Sequence, residues 1–504
     1  MTPEPSDLPP GWKRLPLENL LPRESVFADG DWVESKDQDP AGDVRLIQLA
    51  DVGDGVYRNK SARFLTSQKA RELRCTFLES GDVLVARMPD PLGRACIFPG
   101  DSRASVTVVD VCIIRPGRSG PEPRWLAWFL NCPQVRAQIA ALQAGTTRKR
   151  ISRSNLSTVE LNVPPKPEQL RIVAEIEKQF TRLDAGVDAL KRLQAHLKRY
   201  RATVLVAATE GRLVPSEASL ARRAGRVYEP GSDYLRRLLR ARRELPSRGK
   251  YTEPPQPDPE SLPELPEGWT WTTVESVGDV LLGRQRAPQY LTGRCPKPYL
   301  RVANVGDDNI DLSDVNEMDF DAEHFTKYRL EPGDILVSEG QSPELLGQSA
   351  IYNGGIDGLC FQKTLHRFRP LPGGPSRFAQ LVFRSHVKSG VFRRLGSITT
   401  NIGHLTLEKF KAAPFPLPPE AEEKRIVAEA ERLLSSADAT DALVTAQLRR
   451  AAALRRAILA TAFEGRLVEQ DPSERWRPCR PQCPNLRQPR ARTDGRVSQL
   501  RNST

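Results

Sequence analysis

The chain is poor in the residues that most often carry chemistry. Its 504 residues include only 5 His and 3 Met. The histidines (His196, His324, His366, His386 and His404) form no H-E-x-x-H or other ligand-spaced cluster. Its cysteines (Cys75, Cys96, Cys112, Cys132, Cys295, Cys360, Cys479 and Cys483) are scattered and form no C-x-x-C knuckle. Neither a zinc site nor a disulfide framework is expected, and reduced thiols in a cytoplasmic protein are the simplest account. There is no G-x-x-x-x-G-K-[ST] phosphate loop. No apolar run approaches the length of a membrane span, and the opening "MTPEPSDLPPGW" lacks the basic and apolar regions of a signal peptide. Two near-matches fail on context. "NVPP" at Asn162 sits at a hinge present in both halves, not in a methyltransferase loop. Glu422-Glu423-Lys424 has no aspartate in the preceding twenty or so residues to complete a nuclease metal site. A soluble, cytoplasmic, non-catalytic chain is expected.

What the sequence does have is positive charge and repetition. Lys and Arg number 75 against 63 Asp and Glu, giving a net charge of +12, which favours a polyanionic partner. The length implies two or more domains. The pentapeptide "RIVAE" occurs at Arg171–Glu175 and again at Arg425–Glu429. "LPPGW" from Leu8 returns as "LPEGW" from Leu265, "GDVLVAR" from Gly81 as "GDILVSE" from Gly333, and "EGRLV" from Glu210 at Glu464. Four collinear matches at a nearly constant offset define an internal duplication.

Each half contains a mixed region, a Pro-rich hinge and a long helical stretch. Strands are predicted in "DVRLIQLADV" from Asp43, "GDVLVAR" from Gly81 and "ASVTVVDVCIIRP" from Ala104, with counterparts from Lys297, Gly333 and Leu359. Helices follow in "RWLAWFLNCPQVRAQIAAL" and "RFAQLVFRSHVKSGVFRRL". The predicted seam of the first long helix is Ile176, Phe180, Leu183, Val187, Leu190, Leu193, Leu197, Tyr200 and Val204. Leu434, Val444, Leu454 and Ile458 form that of the second. The two helices are expected to pack as an antiparallel, coiled-coil-like pair; the alternative is that each lies on its own domain. The predicted class is α+β with a pseudo-twofold repeat. The expected segments are residues 1–165 and 265–419 (mixed domains), 166–213 and 420–468 (long helices), 214–264 (a basic, Pro-rich linker) and 469–504 (a disordered tail).

With these phrases in this order, the chain resembles the specificity subunit of type I restriction–modification systems. The resemblance runs from about Leu8 to Val468. It implies two target-recognition domains, each reading half of a bipartite, asymmetric double-stranded DNA site. The helices would set the spacer and dock two methyltransferase subunits, and restriction/translocase subunits would complete the complex. No cofactor is expected in this chain; S-adenosylmethionine, ATP and Mg would belong to the partners. A related fused or two-component restriction system would use the same fold. The family's Glu-Gln pair at the helix start is present as Glu168-Gln169, but the second copy reads Glu422-Glu423.

Under this resemblance, DNA-reading candidates are polar residues in turns where the halves diverge. They are Arg87, then Thr146, Thr147, Arg148, Lys149 and Arg150, then Arg284, Gln285 and Arg286, and finally Gln341, Thr399, Thr400 and Asn401. Arginine suits a guanine edge, and Gln or Asn an adenine edge. Candidate docking residues at the two helix starts are Glu168, Gln169, Ile172, Glu422, Glu423 and Ile426. No metal-ligating or catalytic residue is predicted.

Overall fold

The computed structural model describes residues 8–145, 149–244, 252–258, 260, 262–399, 401–474 and 476. The chain divides into two compact units, residues 1–190 with 446–504, and residues 191–445.

In the first unit a four-stranded antiparallel sheet runs in the order Val26–Asp29, Val111–Arg115, Val83–Ala86, Ala95–Ile97. Alternation along these strands divides the core between two faces. Val83, Val85, Cys112 and Ile114 pack with Trp125, Leu126 and Leu130 of helix Pro123–Leu130. Leu84, Ala86 and Ile113 face the other way, toward Ile47 and Phe98. A three-stranded sheet (Phe64–Leu65, Val44–Ile47, Ser105–Thr107) and the ribbon Lys13–Pro16 with Glu160–Val163 complete the unit's strands. The apolar run from Ala104, predicted as one strand, forms two strands in different sheets, because the chain turns at residues 108–110. The helical stretch after it also divides, with Pro133 opening the second piece.

The second unit repeats this order. Its four-stranded sheet is Gly278–Leu282, Leu365–Pro370, Ile335–Ser338, Ser349–Ile351. Its three-stranded sheet is Asn316–Asp319, Pro296–Leu300, Cys360–Phe361, and again the last two strands are parallel. The repeated Gly-Asp explains why both copies persist. Asp82 is buried and takes two hydrogen bonds from Arg115, each 2.7 Å. Asp334 takes the same pair from Arg369, at 2.6 and 2.7 Å. The second unit adds a small sheet, Gly340–Gln341, Ile402–His404 and Ser397–Thr399.

Each long helix has 44 residues, Lys166–Thr209 and Glu420–Phe463. At about 1.5 Å per residue each is about 66 Å long. The unit boundary falls inside both. In the first unit Ile172, Ile176 and Phe180 pack with Ile458, Leu459 and Phe463, and Asp184 pairs with Arg455 at 2.6 Å. In the second, Gln194 lies 3.4 Å from both Asp441 and Thr445, while Arg201 bonds Asp438 at 2.9 Å. The later residue of one helix meets the earlier residue of the other, so the packing is antiparallel in each unit.

The seam differs from the predicted one in three places. Leu193, Tyr200 and Leu454 are exposed, at 40%, 43% and 50%. In place of Leu193 and Tyr200, Gln194 and Arg201 take the inward positions, because the facing stripe presents Asp441. A polar layer therefore replaces apolar knobs there. The region between the halves is also more than a linker. Helix Gly231–Glu244 buries Tyr234, Leu235 and Leu238 in the second unit's core, Arg242 donates to Glu275 O at 2.7 Å, and Arg236, Arg237, Arg240 and Arg243 are exposed. The tail's first residues are likewise engaged, with Gln470 bonded to Glu168 at 2.7 Å.

Ile176→Ala should lower stability by about 2–4 kcal/mol by opening a cavity in a closed core, whereas Leu193→Ala and Tyr200→Ala should each cost under about 1 kcal/mol. Chemical unfolding of the three variants checks the revised seam.

Candidate nucleic-acid interface

The duplicated phrases meet in space within each unit. In the first, Gly11 adopts φ +86, a region open to glycine, and the chain delivers Trp12 into the core. The Trp12 indole N–H donates to both Glu168 oxygens, at 3.0 and 3.1 Å. Arg171, the Arg of "RIVAE", forms a two-pronged pair with Glu474, at 2.7 and 3.1 Å. The Gly of "EGRLV" closes the joint: a Cβ on Gly465 would stand 2.3 Å from Pro9 Cγ.

The second unit builds the same joint from its own copies. Gly268 has φ +91, and the Trp269 indole donates to Glu422 at 2.9 Å. Arg425 pairs with Glu217 at 2.6 Å, and the Glu217 backbone N–H donates to Glu422 at 2.7 Å. A Cβ on Gly211 would stand 2.6 Å from Pro266. The partners Glu217 and Glu474 each end a Pro-Ser-Glu, at Pro215 and at Pro472. That short repeat was a legible signal of the joint, but it went unmatched because three extra residues precede its second copy.

All six candidate docking residues lie inside these joints. Ile172, Ile426 and Glu422 are fully buried, and Glu168, Gln169 and Glu423 nearly so. They fasten domain to helix, so any docking surface on these helices is formed by other, outward-facing residues. Burial raises the pKa of Glu168 and Glu422. The departure from Glu-Gln has a local cost. Gln169 accepts from the Glu122 N–H at 2.8 Å and donates to Pro164 O at 3.1 Å, using both ends of its amide. Glu423 instead lies 3.2 Å from the Tyr234 hydroxyl, which is also 2.9 Å from Gly373 O. One hydroxyl proton cannot serve both acceptors, which favours a protonated Glu423. Burial pushes its pKa up to about 7; the Tyr234 bond and Lys424 oppose the rise, and Glu420 adds to it.

The reading candidates separate by exposure. Arg87 is buried, bonded to Ile151 O at 2.9 Å and paired with Asp29. Arg284 is buried too, bonded to Asp319 O at 2.7 Å and stacked 4.1 Å from the Tyr290 ring. In this geometry both guanidinium groups are engaged inside their domains. Lys149, Gln285, Arg286, Thr399 and Asn401 are exposed. Arg150 is half-buried, 3.4 Å from Asp110. Gln341 pairs with Gly403 of the added hairpin, which groups it with Thr399 and Asn401. Thr146, Thr147, Arg148 and Thr400 lie outside the described residues.

Residues 266–449 match the family model of the type I restriction modification DNA specificity domain. The StySPI specificity subunit of Salmonella potsdam is 26% identical over 69% of this chain and 66% of its own length. The chain thus spans just under two thirds of that relative. The EcoAI specificity subunit of Escherichia coli is 21% identical over 86% of this chain and 79% of its own. A solved structure from work on assembly and conformational transition of the type I R-M system aligns with TM-score 0.65 at 19% identity, covering 92% of this chain and all (100%) of that one. The HsdS subunit of Thermoanaerobacter tengcongensis aligns with TM-score 0.51 at 20% identity, with the same coverage. The fold is that of these solved type I R-M structures, and residues 266–449 are similar to the type I DNA specificity domain. The resemblance carried by the duplicated phrases holds.

Because the raised pKa of Glu423 lets the folded state hold a proton that the unfolded state releases near 4.5, its contribution is full below that pH and is lost as pH rises through about 7. Glu423→Gln should remove this loss and raise the melting temperature at pH 8 relative to the parent, with little effect at pH 4.5. Equal shifts at both pH values would contradict the assignment.

Proposed function

We propose that this chain is the DNA sequence-specificity subunit of a type I restriction–modification complex. Each unit reads one half of a bipartite, asymmetric site. The long helices fix the spacer and dock two methyltransferase subunits, and restriction/translocase subunits complete the assembly. The chain contributes recognition and no catalysis; S-adenosylmethionine, ATP and Mg serve the partner subunits, and the complex works in the cytoplasm.

The observation that carries this reading is the division between what the halves share and what they do not. Shared phrases build the two joints and the Asp–Arg clamps. Exposed positions in the corresponding segments carry different side chains, as in Lys149 against Thr399 and Asn401. A common scaffold with unlike turns suits two unlike half-sites, since loops change chemistry without disturbing the strands beneath them. The net charge of +12 supplies the sequence-independent attraction to phosphates.

Methylome sequencing of the host with and without the gene tests the reading. The expected result is loss of one split motif bearing methylated adenine on each strand; an unchanged methylome would overturn it. Lengthening one long helix should alter the tolerated spacer while keeping both half-sites, because each inserted residue adds about 1.5 Å and about 100°. Altered half-sites with an unaltered spacer would reverse the roles assigned to helices and domains.

A further inference from the structure

The two units can be matched through backbone hydrogen bonds where their sequences no longer agree. The Arg87 N–H donates to Asp110 O and the Glu339 N–H to Thr364 O, both at 2.9 Å. The Ile151 N–H donates to Arg87 O at 3.1 Å, and the Leu405 N–H to Glu339 O at 2.8 Å. Isolated parallel bridges join Asp31 to Val108 and Arg284 to Gln362. By this register Arg150 corresponds to His404, and Trp32, one residue past its bridge, to Gln285. Neither pair is alike in chemistry.

In the first unit Trp32, Asp110 and Arg150 line one cleft of about 710 Å³, with Gln48 and Met88 on its walls. Trp32 is 68% exposed, so core packing does not explain it; its indole N–H reaches Glu34 at 3.1 Å and leaves the ring open. Arg150 is only loosely held, with Nη2 3.4 Å from Asp110 and Nε buried without a hydrogen-bond partner. A loosely paired guanidinium that lines the same cleft as an open aromatic ring suits a planar ligand with an acceptor edge. A base pair offers both, through the guanine O6 and N7 acceptors and the π-face or methyl of its neighbours. At the matching place in the second unit, Gln285 is exposed and His404 half-exposed, with Nδ1 3.3 Å from Glu339. Glutamine suits an adenine edge, so the same backbone position would read a different base.

We propose that Trp32 and Arg150 in the first unit, and Gln285 and His404 in the second, are equivalent base-reading positions, with Asp110 and Glu339 orienting Arg150 and His404. This rests on the DNA-recognition reading above and deepens it by assigning the readers. Because the two sets occupy one backbone register, each should govern its own half-site at corresponding distances from the spacer.

The test uses the full chain assembled with its methyltransferase subunits and a randomised duplex pool, sequenced after binding selection. Trp32→Ala and Arg150→Gln should each lower discrimination about tenfold at one or two base pairs of one half-site, with the other half-site unaffected. Gln285→Ala and His404→Ala should do the same only in the other half-site. Weakening that is uniform across sequences, with the salt slope reduced by about one, would mean phosphate contacts and overturn the proposal. Unchanged base preferences would overturn it equally. Melting curves accompany each variant, and Trp32→Phe and Arg150→Lys replace any that unfold. A parent complex with no sequence preference would instead overturn the proposed function itself, a result distinguishable from either failure above.

Discussion

The indole–carboxylate bond is the constraint on which the rest of the structure depends. Trp12 on Glu168, and Trp269 on Glu422, fasten each mixed domain to the first turn of its long helix. The bond is buried at both ends, so removing the carboxylate would leave the indole N–H without water, and removing the indole would leave Glu168 only Gln470 and Glu422 only the Glu217 N–H as donors. Around it, the Arg of "RIVAE" and the Gly of "EGRLV" leave little room for alternatives. Arg171 and Arg425 each need a carboxylate supplied by a Pro-Ser-Glu segment. Gly465 and Gly211 lie so close to a proline that any side chain would collide. The identity of the copies follows from this geometry, because two joints with the same stereochemistry require the same residues.

That requirement separates two kinds of position. Joint and clamp residues are tied to one another by bonds of fixed length, and drift at one breaks the set. Turns beyond the sheets carry no such tie. Arg150 and His404 share a backbone register yet differ in charge, shape and hydrogen-bonding pattern. A protein that must hold two different readers on equal mounts has this division of labour, and the sequence duplication is its visible trace.

The architecture was legible because repeats and apolar periodicity report on packing. The antiparallel helices, the Gly-Asp strands and the hinge positions all follow from residues whose partners are apolar or fixed. Four features were not legible, each for a physical reason. Leu193 and Tyr200 fit a spacing of three or four, but the facing helix presents Asp441, and a carboxylate there draws Gln194 and Arg201 inward. The docking candidates were chosen because they repeat, and repetition reflected buried bonding in the joint. Arg87 and Arg284 look like readers by residue type, yet carbonyls inside their own domains take their guanidinium groups. Trp32 was missed because a lone tryptophan in a turn carries no pattern; its exposure shows only in three dimensions.

The central claim is that the shared phrases mount the domains and the unshared turns between them read DNA. It is tested most directly by a chain in which residues 274–413 are replaced by residues 17–159, which keeps the duplicated phrases of both joints. The methylated motif of a host carrying this chain is then sequenced. A symmetric motif, with both halves equal to one parental half-site and the parental spacer, is the predicted result. A folded chain that still directs the asymmetric parental motif would contradict the account.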